Sequence, residues 1–129
     1  MEINRPEIVA EVEAAFAAYE AALVGNDVDT LDALFWRSPH TIRYGAAEIL
    51  HGFDEIAAFR AARSPLGLGR RLERTTITTF GRDAATASTL FRREAAPTRI
   101  GRQMQTWIRL PEGWRVVAAH VSFIEESAP

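Results

Sequence analysis

Residues 102–123 read RQMQTWIRLPEGWRVVAAHVSF, and this stretch decides the fold class. The residues on both sides of 111–113 have strand-like character, and 111–113 form a separator of the length found in β-hairpins. The pattern therefore predicts two antiparallel strands, Arg102 to Leu110 and Trp114 to Phe123.

Two more strands are predicted just upstream, and they complete a run of four. The segments are Leu72 to Phe80 and Ala84 to Arg92, separated by the short turn 81–83. Residues 93–101 contain Pro97, which cannot donate a ladder hydrogen bond, so they are predicted to be a longer connection.

The first half of the chain has helical periodicity instead. A first helix is predicted from Pro6 to the stop signal at 25–26, and a second, capped by Asp27 or Asp29, ends near the proline at position 39. A third covers residues 53–63, with Asp54 as its cap, and residues 41–44 and 48–52 have strand character. Helices followed by strands predict an α+β domain with the helices on one face of an antiparallel sheet.

Length and composition limit the classes of function. A chain of 129 residues is expected to be a single domain over 1–129, with flexible ends at about 1–5 and 125–129. The net charge of −2 gives no sign of a nucleic-acid partner, and no apolar run is long enough for a membrane span. The start lacks signal-peptide features, so a cytoplasmic location is expected.

Cysteine and histidine usage argues against a metal or cofactor. There are no cysteines, and the three histidines have no metal-ligand spacing. We therefore predict chemistry that uses only oxygen and nitrogen side-chain groups, without metal or cofactor.

Both faces of the last two predicted strands are largely apolar, although three helices can cover only one of them. A homodimer through the other face is the simplest expectation. The pattern leaves open whether Gln105 or His120 and Ser122 lie on the pocket face.

Residues 36–45, WRSPHTIRYG, combine arginines, a histidine and aromatic rings in a connector, which usually carries small polar residues. We interpret this stretch as one wall of a small-molecule pocket. Plainer interpretations remain open: Tyr19 and Trp36 as core residues, Arg43 paired with a glutamate of the first helix, and Arg60 and Arg63 as solvated or helix-end residues.

Several runs together resemble the AtzH-like family, which includes the HpxZ-type proteins of oxalurate catabolism. They are AAF at 14–16 leading to YE at 19–20, DALFW at 32–36, SPHT at 38–41, RYG at 43–45, FRAAR at 59–63 and GWRVVAAHVS at 113–122. The resemblance implies a nuclear-transport-factor-2-like cone, with three helices against a curved sheet, commonly as a dimer.

The same resemblance implies a site. The family's pocket tyrosine and arginine fall on Tyr19 and Arg43, and the implied reaction is a metal-free, decarboxylating amidohydrolase step on a carboxylated urea or an oxalurate-type compound. Arg43 would hold a carboxylate, and Tyr19 would donate to a carbonyl oxygen or act as an acid or base. Trp36 and Tyr44 would form apolar walls, and Gln105 would orient the substrate.

Two other functions fit the sequence. One is a non-catalytic ligand-binding or accessory protein for a partner amidase, because the same fold can serve enzymes and binders. The other is an isomerase or dehydratase acting by proton abstraction, for which Asp32, Glu48 and His120 are the weak candidate bases.

Overall fold

The computed structural model describes residues 1–127. The helices are α1 (Pro6–Val24), α2 (Val28–Leu34) and α3 (Phe53–Ala62). The strands are β1 (Ile42–Tyr44), β2 (Ile49–His51), β3 (Arg70–Phe80), β4 (Ala84–Arg93), β5 (Ala96–Leu110) and β6 (Gly113–Glu125). Within residues 1–127, none of the helices has the length and apolar character needed to cross a bilayer.

One six-stranded sheet, ordered β2-β1-β6-β5-β4-β3, carries the fold. Every neighbouring pair is antiparallel except β1 and β6, which run parallel. The apolar stripe of α1 packs with Trp107 and Val116 of the sheet in a single core, so the helices cover one face. The α+β prediction is confirmed, and we call the helix-covered side the inner face and the other side the outer face.

The register shows which side chains share the inner face. Gln103 and Gln105 lie there, because their strand positions alternate with Met104, which is exposed. A β-bulge then leaves Val117 without a partner, since Thr106 pairs with Ala118 and Trp107 with Val116. An extra residue reverses the alternation on one side of it. This is why Val116 and Ala119, whose positions differ by an odd number, both belong to the core side.

Two sequence predictions about elements need correction. Residues 93–101 are not a long connection, because β5 begins at Ala96 after a turn at 94–95 and Arg93 pairs with Ala96. Pro97 is tolerated there because the pairing with β6 begins only at Arg99. Asp54 is not the cap of α3; Gly52 takes that place with a φ of 89°, in the left-handed region that favours glycine.

Both ends of the described chain are tied down more than predicted. The backbone of Asn4 and its side chain both bond to Thr79 of β3, and Gly81 donates to Glu2. Glu126 forms an ion pair of 2.8 Å with Arg92 and donates its N–H to Thr98. The expected flexibility at 128–129 lies outside the described residues.

The end of α2 determines which of two neighbouring aromatic residues, Phe35 or Trp36, points into the core. Phe35 leaves the helix in an extended conformation and forms an isolated bridge with Val116 of β6. This bridge turns the Phe35 ring into the core, where it is 1% exposed, and leaves Trp36 half-buried beside it.

Candidate active site

Tyr19 lies on the buried stripe of α1, and its side chain reaches the interior of the cone. It is 4% exposed, and its ring centroid is 6.2 Å from that of Phe35. The same Phe35 ring lies 4.1 Å from the guanidinium carbon of Arg60, so Tyr19 and Arg60 pack on one aromatic side chain.

Arg60 lies in the last turn of α3, as the helix-end interpretation has it, but it is buried and not solvated. It is 3% exposed, its Nη1 donates to Asp32 Oδ1 at 2.9 Å, and its guanidinium carbon is 4.1 Å from the Phe35 ring centroid. Burial lowers the pKa of Arg60, while Tyr19 and Asp32 raise it. Its Nη2 has no hydrogen-bond partner among residues 1–127.

Arg43 projects from β1 into a cavity of about 280 Å³. Its Nη1 donates to Glu48 Oε1 at 2.8 Å, and its guanidinium carbon is 5.6 Å from the Phe59 ring centroid. The partner is therefore a glutamate of the β1–β2 connection and not one of the first helix. The cavity is lined by arginines, one carboxylate and apolar side chains, among them Arg43, Glu48, Phe59, Arg63, Arg93 and Val121.

Tyr19 and Arg43 are each related to one arginine at the end of α3. Tyr19 and Arg60 both contact the Phe35 ring, and Arg63 lines the cavity together with Arg43. Burial is the main cause that lowers the pKa of Arg63, and the charge of Arg43 lowers it further. The positive charge of Arg43 also lowers the pKa of Arg60.

Gln105 adds an amide to the inner face. It is 1% exposed, its Oε1 accepts from Trp107 Nε1 at 3.0 Å, and its Nε2 has no partner in the described part of the chain. Gln105 pairs with Ala119, and Ala119 pairs with Arg43, so the three lie on adjacent strands. At about 4.8 Å per strand, the Cα atoms of Arg43 and Gln105 are roughly 10 Å apart.

Gln103 is a second interior amide that the sequence did not single out. It is 2% exposed, and its Oε1 accepts from Arg70 Nη2 at 3.1 Å. Its Nε2, like that of Gln105, is buried without a partner. Two amide donors therefore remain available beside the arginines, and a buried donor gains free energy when a ligand oxygen accepts from it.

Trp36 and Tyr44 lie outside this cavity. Trp36 packs on His40 at 6.1 Å and lines a surface cleft with Arg37 and Arg115. Tyr44 is next to Arg43 in β1 and so points to the outer face, where its ring contacts His120 at 5.9 Å. The aromatic side chains that line this cavity are instead Phe59, whose ring contacts Arg43, and Phe123.

The position of His120 shows which face of the sheet carries Gln105 and which carries His120. His120 pairs with Met104 and Tyr44, both outer-face residues, so the inner face is the side of Gln105. Of the three candidate bases, only Asp32 and Glu48 reach the site, and each is paired with an arginine.

Comparison with known proteins identifies the class. The chain matches the AtzH-like family over residues 1–127 and belongs to that family. A protein of unknown function from Pectobacterium atrosepticum is 57% identical, with a TM-score of 0.93 and 95% of each chain covered. A cystatin-like fold protein from Burkholderia xenovorans is 53% identical, with a TM-score of 0.94 and coverage of 98% of this chain and 99% of the other.

A more distant structure confirms the fold. A nuclear-transport-factor-2-like protein of unknown function from Pseudomonas putida has a TM-score of 0.80 at 16% identity, covering 97% of this chain and 99% of its own. The chain therefore has the nuclear-transport-factor-2-like fold. No match is found among curated proteins.

Proposed function

We propose that the protein is a cytoplasmic enzyme of nitrogen catabolism, a metal-free amidohydrolase acting on a carboxylated urea or an oxalurate-type compound. The observation that supports this most is the cationic cavity lined by Arg43, Arg63 and Arg93, on the sheet face that also carries the buried amide donors of Gln103 and Gln105. A planar substrate with a carboxylate and an amide carbonyl offers acceptors to every one of these donors.

Each residue has a defined part in the proposed reaction. Arg43 holds the substrate carboxylate through the guanidinium donors that are not bonded to Glu48. Tyr19 donates to the carbonyl oxygen as water adds to the carbonyl carbon, which stabilises the developing negative charge. The C–N bond then breaks, the nitrogen takes a proton, and a carbamate released in this way can lose carbon dioxide. The Gln105 amide keeps the substrate plane in the cavity.

The test is turnover by the purified protein. Oxalurate and a carboxylated urea are supplied, and ammonia and carbon dioxide are measured. Tyr19→Phe should lower kcat by about a hundredfold or more, because general-acid and oxyanion contributions are typically of this size. Arg43→Ala should abolish measurable turnover. Tyr19→Phe should keep nearly the wild-type thermal midpoint, whereas Arg43→Ala also removes the ion pair with Glu48 and should lower it.

Matched controls are available on the outer surface. Tyr44→Phe removes a hydroxyl from the other sheet face, and Arg82→Ala removes an exposed arginine. Both should retain full activity. Full activity in Tyr19→Phe or Arg43→Ala would contradict the proposal.

The principal alternative is an accessory protein that binds the substrate or product of a partner amidase. It predicts the same anion binding without turnover by the isolated chain. Binding of oxalurate by calorimetry, together with no released ammonia or carbon dioxide even at high protein concentration, would favour this alternative.

A further inference from the structure

Two amide side chains are buried on the inner face without using their donors. Gln103 and Gln105 are the two glutamines of the chain, and they are 2% and 1% exposed. In each of them Nε2 is enclosed and has no hydrogen-bond partner within residues 1–127. A buried amide donor that stays unpaired costs free energy, so both side chains are suited to a ligand that supplies an acceptor.

The orientation of each amide is fixed by a neighbour that can only donate. Trp107 Nε1 donates to Gln105 Oε1 at 3.0 Å, and Arg70 Nη2 donates to Gln103 Oε1 at 3.1 Å. An indole N–H and a guanidinium group have no acceptor, so the amide atom that faces each of them must be the oxygen. Both glutamines therefore have their oxygens occupied and offer only N–H donors to a ligand.

Arg70 is itself held from the helix side. Its Nε and Nη2 donate to the two carboxylate oxygens of Glu20 on α1, at 2.9 Å and 2.6 Å, and its guanidinium carbon lies 4.4 Å from the Phe91 ring centroid. The side chains of Arg70 and Glu20 are 3% and 16% exposed. Because a bidentate pair is geometrically specific, Glu20 positions Arg70, and Arg70 in turn positions the amide of Gln103.

Both amides lie next to the cavity that contains Arg43. Gln103 pairs with Val121 of β6, which lines this cavity. Gln105 is separated from Arg43 by one strand, and the residue of that strand between them is Ala119, whose side chain is a single methyl group. Positions 103 and 105 share one face of β5, with Cα atoms about 7 Å apart. A ligand whose carboxylate is held by Arg43 extends over Ala119 toward both amides.

We propose that Gln103 and Gln105 form a carbonyl-binding subsite, in which Gln103 is a further substrate-binding residue and Arg70 and Glu20 are positioning residues. The inference rests on the proposed function for the place of the carboxylate on Arg43. The subsite takes an uncharged oxygen acceptor, such as the keto or amide oxygen next to that carboxylate. A group that brings N–H or C–H to the same place leaves the buried donors unpaired and is disfavoured.

The test compares two ligands with the same shape and the same charge. Pyruvate and methacrylate each have one carboxylate on a planar carbon, and the carbonyl oxygen of pyruvate is replaced by a methylene group in methacrylate. Dissociation constants are measured by calorimetry at constant ionic strength. The wild-type protein should bind pyruvate at least about tenfold more tightly than methacrylate. Equal binding of the two ligands, or no binding of pyruvate, would overturn the inference.

Side-chain NMR assigns the contact to the two amides. Because Gln103 and Gln105 are the two glutamines of the chain, labelling with isotope-enriched glutamine gives one side-chain amide signal set for each. The signals are assigned by their loss in Gln103→Met and Gln105→Met. Both should shift when the protein is saturated with pyruvate and should shift much less with methacrylate. Unchanged signals at saturating pyruvate would refute the contact.

Variants then separate binding from positioning. Gln103→Met leaves the Glu20–Arg70 pair in place and should lower the preference for pyruvate to about threefold or less, with methacrylate affinity changed less than about twofold. Glu20→Met combined with Arg70→Met removes the positioning pair without leaving a buried charge, and it should also lower the preference. Thr106→Val removes a hydroxyl from the outer face of the same strand and should behave as wild type.

The outcomes separate this inference from the proposed activity. If Gln103→Met weakens both ligands by the same factor, Gln103 has a structural role only and the subsite is refuted, even if Arg43→Gln abolishes binding of both. If the preference for pyruvate is present and Gln103→Met loses it, the subsite holds, and absence of turnover with oxalurate would then count against the amidohydrolase alone.

Discussion

Arg60 brings a full positive charge into the core, and two contacts make this possible. Asp32 accepts a hydrogen bond from its Nη1 at 2.9 Å, and the face of Phe35 lies 4.1 Å from its guanidinium carbon. The carboxylate offsets the charge and the ring supplies a cation–π contact. The Asp32–Arg60 pair therefore links α2 to α3 beneath the site.

Replacement of Asp32 by asparagine should show how much the fold depends on this pair. Asp32→Asn leaves a guanidinium that is 3% exposed without its counter-charge, so the free energy of unfolding should fall by about 3 kcal/mol. Urea unfolding followed by circular dichroism measures the change. Asp29→Asn, at an exposed position of the same helix, should cost much less. Equal effects of the two substitutions on the free energy of unfolding would show that the Asp32–Arg60 pair contributes no more to stability than an exposed aspartate does.

Glu48 occupies one edge of Arg43 in the structure and competes with any ligand for it. Its carboxylate also lies where a side chain at Gly45 would be, since a Cβ there would meet Glu48 Oε1. Glu48→Gln should therefore tighten binding of oxalurate several-fold, because one local negative charge is removed. Calorimetry measures this, with the exposed Glu112→Gln as the control. Weaker binding by Glu48→Gln would instead mean that Glu48 holds Arg43 in position.

At the scale of elements, sequence periodicity predicted the helices within a few residues, because their stop signals at 25–26 and Ser64-Pro65 are local. It failed at the start of β5, where Pro97 suggested a connection. The ladder tolerates this proline because the β6 side pairs only from Arg99. The rule that proline interrupts a strand takes no account of which edge of the strand is paired with a neighbour.

Close packing between β4 and β5 explains why Gly101 lies in a strand. Gly101 pairs with Phe91, and a Cβ at Gly101 would come within 2.2 Å of the Phe91 ring. Gly101→Ala should therefore destabilise the protein by about 1–3 kcal/mol through overpacking. Chemical unfolding measures the effect. Gly69→Ala, where a Cβ would meet no atom within 4 Å, is the control, and equal stability of both variants would contradict the packing argument.

At the scale of the whole molecule, the resemblance predicted the fold correctly, and the structure brings Tyr19, Arg43 and Gln105 to one face. Their catalytic and binding roles stay predictions. Trp36 and Tyr44 lie outside the cavity whose walls they were expected to form. The local sequence does not determine where α2 ends, nor to which face of the sheet each side chain of β1 points. Phe35, rather than Trp36, turns inward through its bridge to Val116.

The sequence contains a pattern that predicts buried arginines at the end of α3. Positions 53, 56, 60 and 63 form a single helical stripe, and Phe53, Ile56 and Arg60 on it are buried. Every basic residue of the chain is an arginine, and arginine keeps its charge when buried better than lysine does. Arg93 could not be found in this way, because only the folded sheet brings it to the cavity.

The outer face remains the place where a second copy of the chain is expected. Tyr44, His120 and Met104 form a row across β1, β6 and β5, and Met104 is 51% exposed. Met104→Glu would place a charge inside an apolar interface, so the dimer dissociation constant should rise at least tenfold. Sedimentation velocity at several concentrations measures it, with Ile3→Glu as the control because Ile3 is equally exposed, at 51%, near the β3 edge. A monomeric wild-type protein, or a Met104→Glu variant that dimerises as tightly as Ile3→Glu, would show that this face is not the interface.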